Sequence, residues 1–248
     1  MSRRVVQVAR GVLRIEQRLR IPGREIGTDV CGPACVYALV RVRHGAVSYV
    51  HEHARVPTPS CFAVFLPPFA IVQAVLERCD VTSVALAFRP AASDALPRQP
   101  VLLSPSMDGP PRSTHDVLGR LRGVKMATAI GRAHDPAPLA ANAKTVIDRE
   151  YGTPLPIGGI AARLHASPAV LSRRFKEAYG MPPVRYRHHV RIMDALMRFA
   201  DGAAPAEVFQ EVGFDDLSRF YKIFRKVACA APGSYRRARS RNAKTSLG

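Results

Sequence analysis

The sequence predicts an α+β protein with a β-rich N-terminal domain and an all-α C-terminal domain. Residues 34–90 are rich in Val, Phe, Tyr and Ile, with partial alternation of apolar and polar positions, which is typical of short antiparallel strands. From Leu139 onward the apolar residues recur at helical spacing between short breaks, which predicts a compact set of seven short helices. A chain of 248 residues is long enough for two small cores.

The domain boundaries follow from changes in composition along the chain. Residues 1–105 are predicted to be the β-rich domain, and residues 106–138, rich in Pro, Ala, Ser and Gly, a linker with one helix near 115–121. Residues 139–237 are predicted to be the helical domain, and residues 238–248 a basic disordered tail.

Within the β-rich domain, the clearest strand segments are ACVYALVRVRHGAVSYV and CFAVFLPPFAIVQAVL. Turn residues separate the apolar runs at His44-Gly45, at 57–60 and at Pro67-Pro68. This pattern predicts a small antiparallel sandwich or barrel.

Start and stop signals mark the helices of the C-terminal domain. Gly152 ends the first helical segment, and Pro156 precedes the next. Ser167 is the predicted N-cap of SPAVLSRRFKEAYG. A proline opens and Gly202 closes PPVRYRHHVRIMDALMRFADG, and AEVFQEVGF, DDLSRFYKIFRKVAC and APGSYRR follow it.

The chain is strongly basic, with 37 Lys and Arg against 19 Asp and Glu and a net charge of +18. Such an excess is typical of proteins that meet phosphate or an anionic membrane surface. No apolar run reaches the ~18 to 20 residues that cross a bilayer, and the N-terminus MSRRVVQVARG lacks a signal-peptide core. We therefore expect a cytoplasmic protein with five reduced cysteines, at positions 31, 35, 61, 79 and 229.

The C-terminal half repeats itself at a distance of 49 residues. The matched pairs are Leu171 with Phe220, Arg173 with Lys222, Phe175 with Phe224, Lys176 with Arg225, Pro183 with Pro232, Tyr186 with Tyr235, and Arg187 with Arg236. Two copies of one module are the simplest account of this pattern.

Each copy reads as a helix-turn-helix, with a short helix, a turn of three or four residues and a second helix. The turn requires a positive φ, which His165 tolerates in the first copy and Gly213 supplies in the second. Ala161 is small where the two helices approach, whereas Phe209 takes its place in the second copy. The helix at 183–200 would span ~27 Å, close to the ~34 Å between successive major grooves of B-DNA.

These residues resemble the DNA-binding domain of the AraC/XylS transcription regulators. The resemblance covers residues 139–237 and is densest in IAARLHASPAVLSRRFKEAYGMPPVRYRHHVRIMDALM, in VGFDDLSRFYKIFRK and in the closing P-x-x-YR. Phe209, at a usually small site, and Cys229-Ala230, where Gly-Met or Gly-Val is usual, depart from the family pattern. The departures concern the tilt of the second module.

The resemblance implies a sequence-specific regulator that reads two adjacent major grooves of double-stranded DNA. In the residues themselves no nucleophile, base and orienting carboxylate stand out and there is no Gly-rich phosphate loop, so we predict no catalytic residues and no cofactor. The implied base-facing positions are Ala169, Ser172 and Arg173 in the first module and Leu217, Ser218 and Lys222 in the second. The predicted phosphate contacts are Arg174, Lys176, Arg185, Arg187, Arg219 and Arg225. Packing for Ala169 and Leu217, and solvated charge for the basic residues, are the alternatives.

The resemblance also implies an N-terminal cupin-like barrel that senses a small molecule or forms a homodimer. It further implies RNA polymerase as a protein partner. Gly45-x5-His51-x-His53 imitates the opening of a cupin metal motif, but it lacks the following Glu and reads more naturally as a hairpin. We therefore predict no metal there.

Four cysteines, Cys31, Cys35, Cys61 and Cys79, leave a second interpretation open. They could form a zinc site or a redox switch, as in a metal- or thiol-dependent sensor or a DNA repair protein of the Ada type. The spacing lacks a C-x2-C pair, so buried or incidental thiols are favoured. Zinc content and methyl transfer to a cysteine distinguish repair from regulation.

Overall fold

A computed structural model describes residues 2–51, 54–92, 94–103, 109–123, 127–130, 137–229 and 232, and the side chains of these residues from 8 onward. The predicted basic tail at 238–248 and most of the predicted last helix, APGSYRR, lie outside these residues. The β-rich N-terminal part and the helical C-terminal part of the predicted fold class are confirmed.

The N-terminal domain is an antiparallel sheet that contains nine strands in the described residues. The strands are β1 (Ser2–Ala9), β2 (Val12–Arg20), β3 (Arg24–Val30), β4 (Cys35–His51), β5 (Ala54–Pro57), β6 (Cys61–Leu66), β7 (Ile71–Phe88), β8 (Val101–Leu103) and β9 (Ala127–Ala129). Helix α1 (Thr114–Arg122) begins at the Ser113 N-cap and lies between β8 and β9. The interval 106–138, predicted as a linker with one helix near 115–121, thus contains that helix and also a short strand.

Two long strands form the spine of this sheet. β4 and β7 pair along most of their length, with register shifts around His44. The second half of β7 pairs with β2 and its first half with β3, while β4 pairs with β6 and β5 on its other side. The order β1-β2-β7-β4-β6-β8-β9 therefore branches, with β3 and β5 extending the other end of the spine.

The C-terminal domain contains six helices in the described residues. They are α2 (Pro138–Glu150), α3 (Ile157–Arg163), α4 (Pro168–Tyr179), α5 (Pro183–Asp201), α6 (Pro205–Glu211) and α7 (Leu217–Ala228). No helix of the described part of the chain combines the length and apolarity needed to span a bilayer.

Helix α5 is the central element that joins the two domains. Its residues from Val190 to Met197 are all buried, as expected for a helix that is covered on every side. Sheet residues Leu13 and Ile15 share one core with Leu196 and with Phe220 of α7. The sheet therefore completes the hydrophobic core of the helical domain.

Direct contacts with the sheet domain run along the length of α5. Near its start, the hydroxyl oxygen of Tyr186 lies 3.4 Å from the carbonyl oxygen of Phe69. In its middle, a β-carbon added to Gly32 would lie 2.6 Å from Cβ of Met193. Near its end, the amide of Gly11 donates to the Ala200 carbonyl oxygen at 3.3 Å. The sheet domain thus holds the helix that carries both predicted modules.

Candidate nucleic-acid interface

The first module consists of α3, a tight turn and α4. The amide of Ala166 donates to the carbonyl of Ala161 at 2.9 Å, and the amide of His165 to that of Ala162 at 3.1 Å. These two bonds are those of a Schellman motif, which requires a left-handed residue after the helix. His165 has φ +52°, so the predicted positive φ is confirmed.

The second module consists of α6, the equivalent turn and α7. The amide of Phe214 donates to Phe209 and that of Gly213 to Gln210, both at 2.9 Å. Gly213 has φ +93°, again as predicted. One additional residue lies between Gly213 and the Asp216 N-cap, compared with the step from His165 to the Ser167 N-cap.

The second helices, α4 and α7, correspond closely. Each has 12 residues, and their first residues, Pro168 and Leu217, are 49 positions apart. Ser167 Oγ accepts from the amide of Val170 at 3.3 Å, and Asp216 Oδ1 accepts from the amide of Ser218 at 2.8 Å. Such caps satisfy amides that have no partner within the helix. Both helix starts are therefore well defined.

Each second helix buries one apolar face and leaves the other face to solvent. The predicted core residues Leu171, Phe175, Phe220 and Phe224 are fully buried. Of the predicted base-facing residues, Ala169, Arg173, Leu217, Ser218 and Lys222 are exposed and Ser172 is half-buried. The fold thus brings the six residues out in two groups of three, one on each helix.

The predicted phosphate contacts are placed less uniformly. Arg174, Lys176, Arg185, Arg219 and Arg225 are exposed. Arg174 Nη1 lies 3.3 Å from a carboxylate oxygen of Glu177, and Arg173 Nε lies 4.0 Å from the other oxygen. Arg187 is half-buried and donates to the carbonyl oxygen of Leu155, so part of its hydrogen-bonding capacity is used within the protein.

Sequence reasoning missed the buried Asp194, which connects three parts of the molecule. Arg89 of the sheet domain donates to Asp194 at 2.8 Å and to Asp201 at 2.7 Å. Arg198 donates to Asp194 at 2.9 Å and to Glu211 of α6 at 2.5 Å. Burial of a carboxylate is unfavourable without such partners. Through these partners Asp194 links α5 to both the sheet domain and the second module. A charged residue in the middle of an apolar helix pattern is the signal that could have found it.

A group of side chains where α5 meets the second module was also missed. The His188 ring stacks on Phe214 with 5.8 Å between ring centroids, and the Arg191 guanidinium carbon lies 5.4 Å from the Phe214 centroid. Arg191 donates to the carbonyls of Tyr151 at 2.6 Å and Thr153 at 2.9 Å. Burial and the neighbouring Arg219 lower the pKa of His188 to about 4.

The histidine and cysteine candidates that the structure describes in the sheet domain form no metal-binding group. His51 pairs with Ala54 across the β4–β5 hairpin, while His53 lies outside the described residues. Burial raises the pKa of the Cys31 thiol, and that of Cys35 to about 12. Such buried thiols are poor nucleophiles. Within the described ranges, no group of three or more His, Cys, Asp or Glu residues is arranged to hold a metal ion.

Helices α4 and α7 are both capped, each belongs to a helix-turn-helix, and both are attached to the largely buried helix α5. Together they define a protein with a double helix-turn-helix domain. A family model described as a helix-turn-helix domain matches residues 160–238. The arabinose operon regulatory proteins of Escherichia coli and Salmonella typhimurium are 32% identical to this chain over 81 residues, which cover 32% of this chain and 28% and 29% of theirs. In this helical part the chain is therefore similar to regulators of the AraC type.

The chain spans about a third or less of the length of these curated relatives. Across both domains, the fold resembles that of ToxT from Vibrio cholerae. A structure of ToxT with an unsaturated fatty acid bound has a TM-score of 0.51 at 14% identity and covers 94% of this chain and 96% of that one. A second ToxT structure has a TM-score of 0.50 at 11% identity, with coverage of 91% and 96%.

Proposed function

We propose that the chain is a transcription regulator that binds double-stranded DNA with α4 and α7 in two adjacent major grooves. The observation that carries this proposal is the matched pair of capped helices, whose exposed faces hold the six predicted base-facing residues. Helix α5 has 19 residues and so spans ~28 Å. The length of this helix is close to the ~34 Å spacing of successive major grooves, which supports this docking.

The exposed side chains fit the chemistry of base recognition. Arg173 and Lys222 can donate to O6 and N7 of guanine, and Ser172 and Ser218 can bond to several base edges. Ala169 and Leu217 can meet a thymine methyl group. Lys176, which lies farther along α4, fits a phosphate contact that positions the module without reading sequence.

The test compares two residues of the same helix. Duplexes selected by the full chain from a randomised library give a preferred site, whose affinity is then measured across a salt series. We expect Arg173→Ala to weaken binding to that site by ~1 to 3 kcal/mol and to relax the preference at one base pair. Lys176→Ala should weaken all sequences alike and reduce the salt slope. Unchanged affinity in Arg173→Ala would refute this docking of the first module.

We further propose that the sheet domain makes the regulator responsive to a small molecule. The supporting observation is a cleft of about 280 Å³ between the two domains, near the lower end of the ~300 to 1,000 Å³ of typical ligand sites. Its walls include Phe69 and Ile71 of the sheet domain and Ala178 and Tyr179 of α4. A ligand there would contact the first reading helix directly. RNA polymerase and a second copy of the chain are the protein partners that we propose with this role.

The cleft suits a ligand with an apolar body and an acidic group. Its lining is mostly apolar, and its charged members are Arg98 and Lys144. Lys144 pairs with Asp148 at 2.6 Å, whereas Arg98 is exposed and forms no ion pair in the described part of the chain. ToxT, which shares the two-domain fold, has been crystallised with an unsaturated fatty acid.

Decanoate and its uncharged analogue decanol test this cleft in thermal-shift measurements on the full chain. We expect decanoate to raise the melting temperature more than decanol does, and Arg98→Gln to remove the difference. Arg122→Gln on α1, which removes a charge away from the cleft, is the matched control. Equal shifts for both compounds, or shifts that Arg98→Gln leaves unchanged, would contradict an anion site at Arg98.

A further inference from the structure

Four side chains that can carry positive charge meet between the two modules. Arg187, His188 and Arg191 lie on α5, and Arg219 lies in the first turn of α7. We refer to this group as the junction cluster. His188 and Arg191 both contact the ring of Phe214, which precedes α7, so the cluster is built around the turn of the second module.

The junction cluster has more positive than negative charge around it, since one carboxylate, that of Asp215, acts on Arg191. Among the described residues, none of its four members forms an ion pair. Burial and then Arg219 lower the pKa of Arg187, and burial and then Arg187 lower that of Arg191. Only oriented carbonyl groups, such as that of Leu155, accept hydrogen bonds from Arg187 and Arg191 in the described residues. Positive charges held this close favour an anion beside them.

The donors of the cluster are unequally used. Arg191 is buried and directs its guanidinium to the carbonyls of Tyr151 and Thr153. Arg187 is half-buried, and its Nε is buried without an acceptor in the described residues. Arg219 is exposed. A buried donor without a partner is unfavourable, so an anion that reached Arg187 would satisfy a group that the protein leaves unmet.

The position of the cluster indicates which anion this is. Arg219 follows Ser218, one of the predicted base-facing residues, and its charge acts on the α5 residues that lead back to the first module. The equivalent of Arg219 in the first module, 49 residues earlier, is the apolar Val170. The positive charge of Arg219 is therefore particular to the second module, on the side toward the first module.

We propose that Arg187 and Arg219 together bind one backbone phosphate of the DNA, located between the two major grooves. This inference rests on the proposed function and adds to it a single phosphate that fixes the spacing of the two modules. His188 and Phe214 form the wall of this site, and Arg191 holds the wall to the loop between α2 and α3. The other predicted phosphate contacts, such as Arg225 on the last turn of α7, are independent of it.

The test uses the full chain, its selected duplex and a set of duplexes that each carry one neutral methylphosphonate. We expect Arg219→Gln to lower affinity about 5- to 10-fold and the salt slope by about one ion, since each phosphate contact contributes ~0.9 to that slope. One methylphosphonate, between the two recognised half-sites, should cost the wild type a similar factor and Arg219→Gln nothing further. Arg225→Gln is the control and should remain sensitive to that position.

Arg187→Gln should also lower affinity, and the double variant should bind no more weakly than about the weaker single variant, because both residues act on one phosphate. Arg187→Lys keeps the positive charge and should retain much of the wild-type affinity. It therefore separates the loss of charge in Arg187→Gln from misfolding. If the wild type binds selectively but no methylphosphonate position leaves the affinity of Arg219→Gln unchanged, the shared phosphate is refuted and the proposed function still stands. Absence of sequence-selective binding by the wild type would overturn both.

Discussion

The two helix-turn-helix modules share one backbone plan but are secured to the rest of the molecule at different points. The turn of the first module contains His165, whose side chain is exposed. The turn of the second contains Gly213, where an added β-carbon would lie 2.4 Å from the carbonyl oxygen of Gly152 and 2.8 Å from Arg191 Nη2. The second turn is thus pressed against the loop between α2 and α3 and against α5, whereas the first turn faces solvent.

The first module is instead secured at the far end of its reading helix. A β-carbon added to Gly180, the C-cap of α4, would meet the Gln73 side chain of the sheet domain at 1.9 Å. The first module therefore contacts the sheet domain, whereas the turn of the second module contacts the loop between α2 and α3 and helix α5. Equivalent positions of a repeat are under different constraints because each copy has different neighbours.

Substitutions at the two turns test this difference, and the largest effect is expected at Gly213. Gly213→Ala places a β-carbon in the left-handed region and against a backbone oxygen, so we expect it to lower the free energy of unfolding by about 3 kcal/mol. The loss should be measurable by urea denaturation. Because the second module would be displaced, DNA affinity should also fall.

His165→Gly is the matched control for this change. Relief of the left-handed backbone is offset by the greater freedom of glycine in the unfolded chain, so the net change should stay within about 1 kcal/mol. Similar losses at the two turns would show that they are equally constrained, contrary to the contacts described above.

The sequence predicted the local features of both modules and few of the long-range ones. The Ser167 cap, the positive φ of His165 and Gly213, and the 49-residue offset depend on near neighbours or on the repeat, and each is confirmed. The contact of Arg89 with Asp194 joins residues 105 positions apart. No local preference encodes such a contact, because it depends on how the sheet docks on α5.

The candidate interface shows the same division. Exposure of the base-facing residues followed from the helical period, since Leu171 and Phe175 fix the buried face of α4. The junction cluster could not be predicted in this way, because Arg187 and Arg219 lie on different helices and the turn at Gly213 brings them together. The sequence marks both arginines as basic, and the fold makes them neighbours.

The contact between His188 and Phe214 provides a smaller test of the same comparison, through pH. The pKa of His188 is about 4 in the folded protein, against an ordinary value of 6.5. Below pH 6.5 the unfolded chain binds the proton more readily, so stability should fall as the pH drops from 6.5 to 4 and stay level above 6.5. The half-buried position reduces the full effect of this shift to about 1 to 2 kcal/mol.

The variant His188→Gln cannot gain this proton, so the difference in unfolding free energy between wild type and variant should shrink over the same pH interval. His44→Gln, at an exposed position of β4, controls for loss of a histidine elsewhere and should keep the wild-type pH profile. Since Ala166 stands where the second module has Phe214, hydrogen exchange at pH 4.5 should show opening of α6 and α7 before α3 and α4. Simultaneous opening of both modules, or a pH profile unchanged in His188→Gln, would mean that the acid sensitivity arises outside the second module.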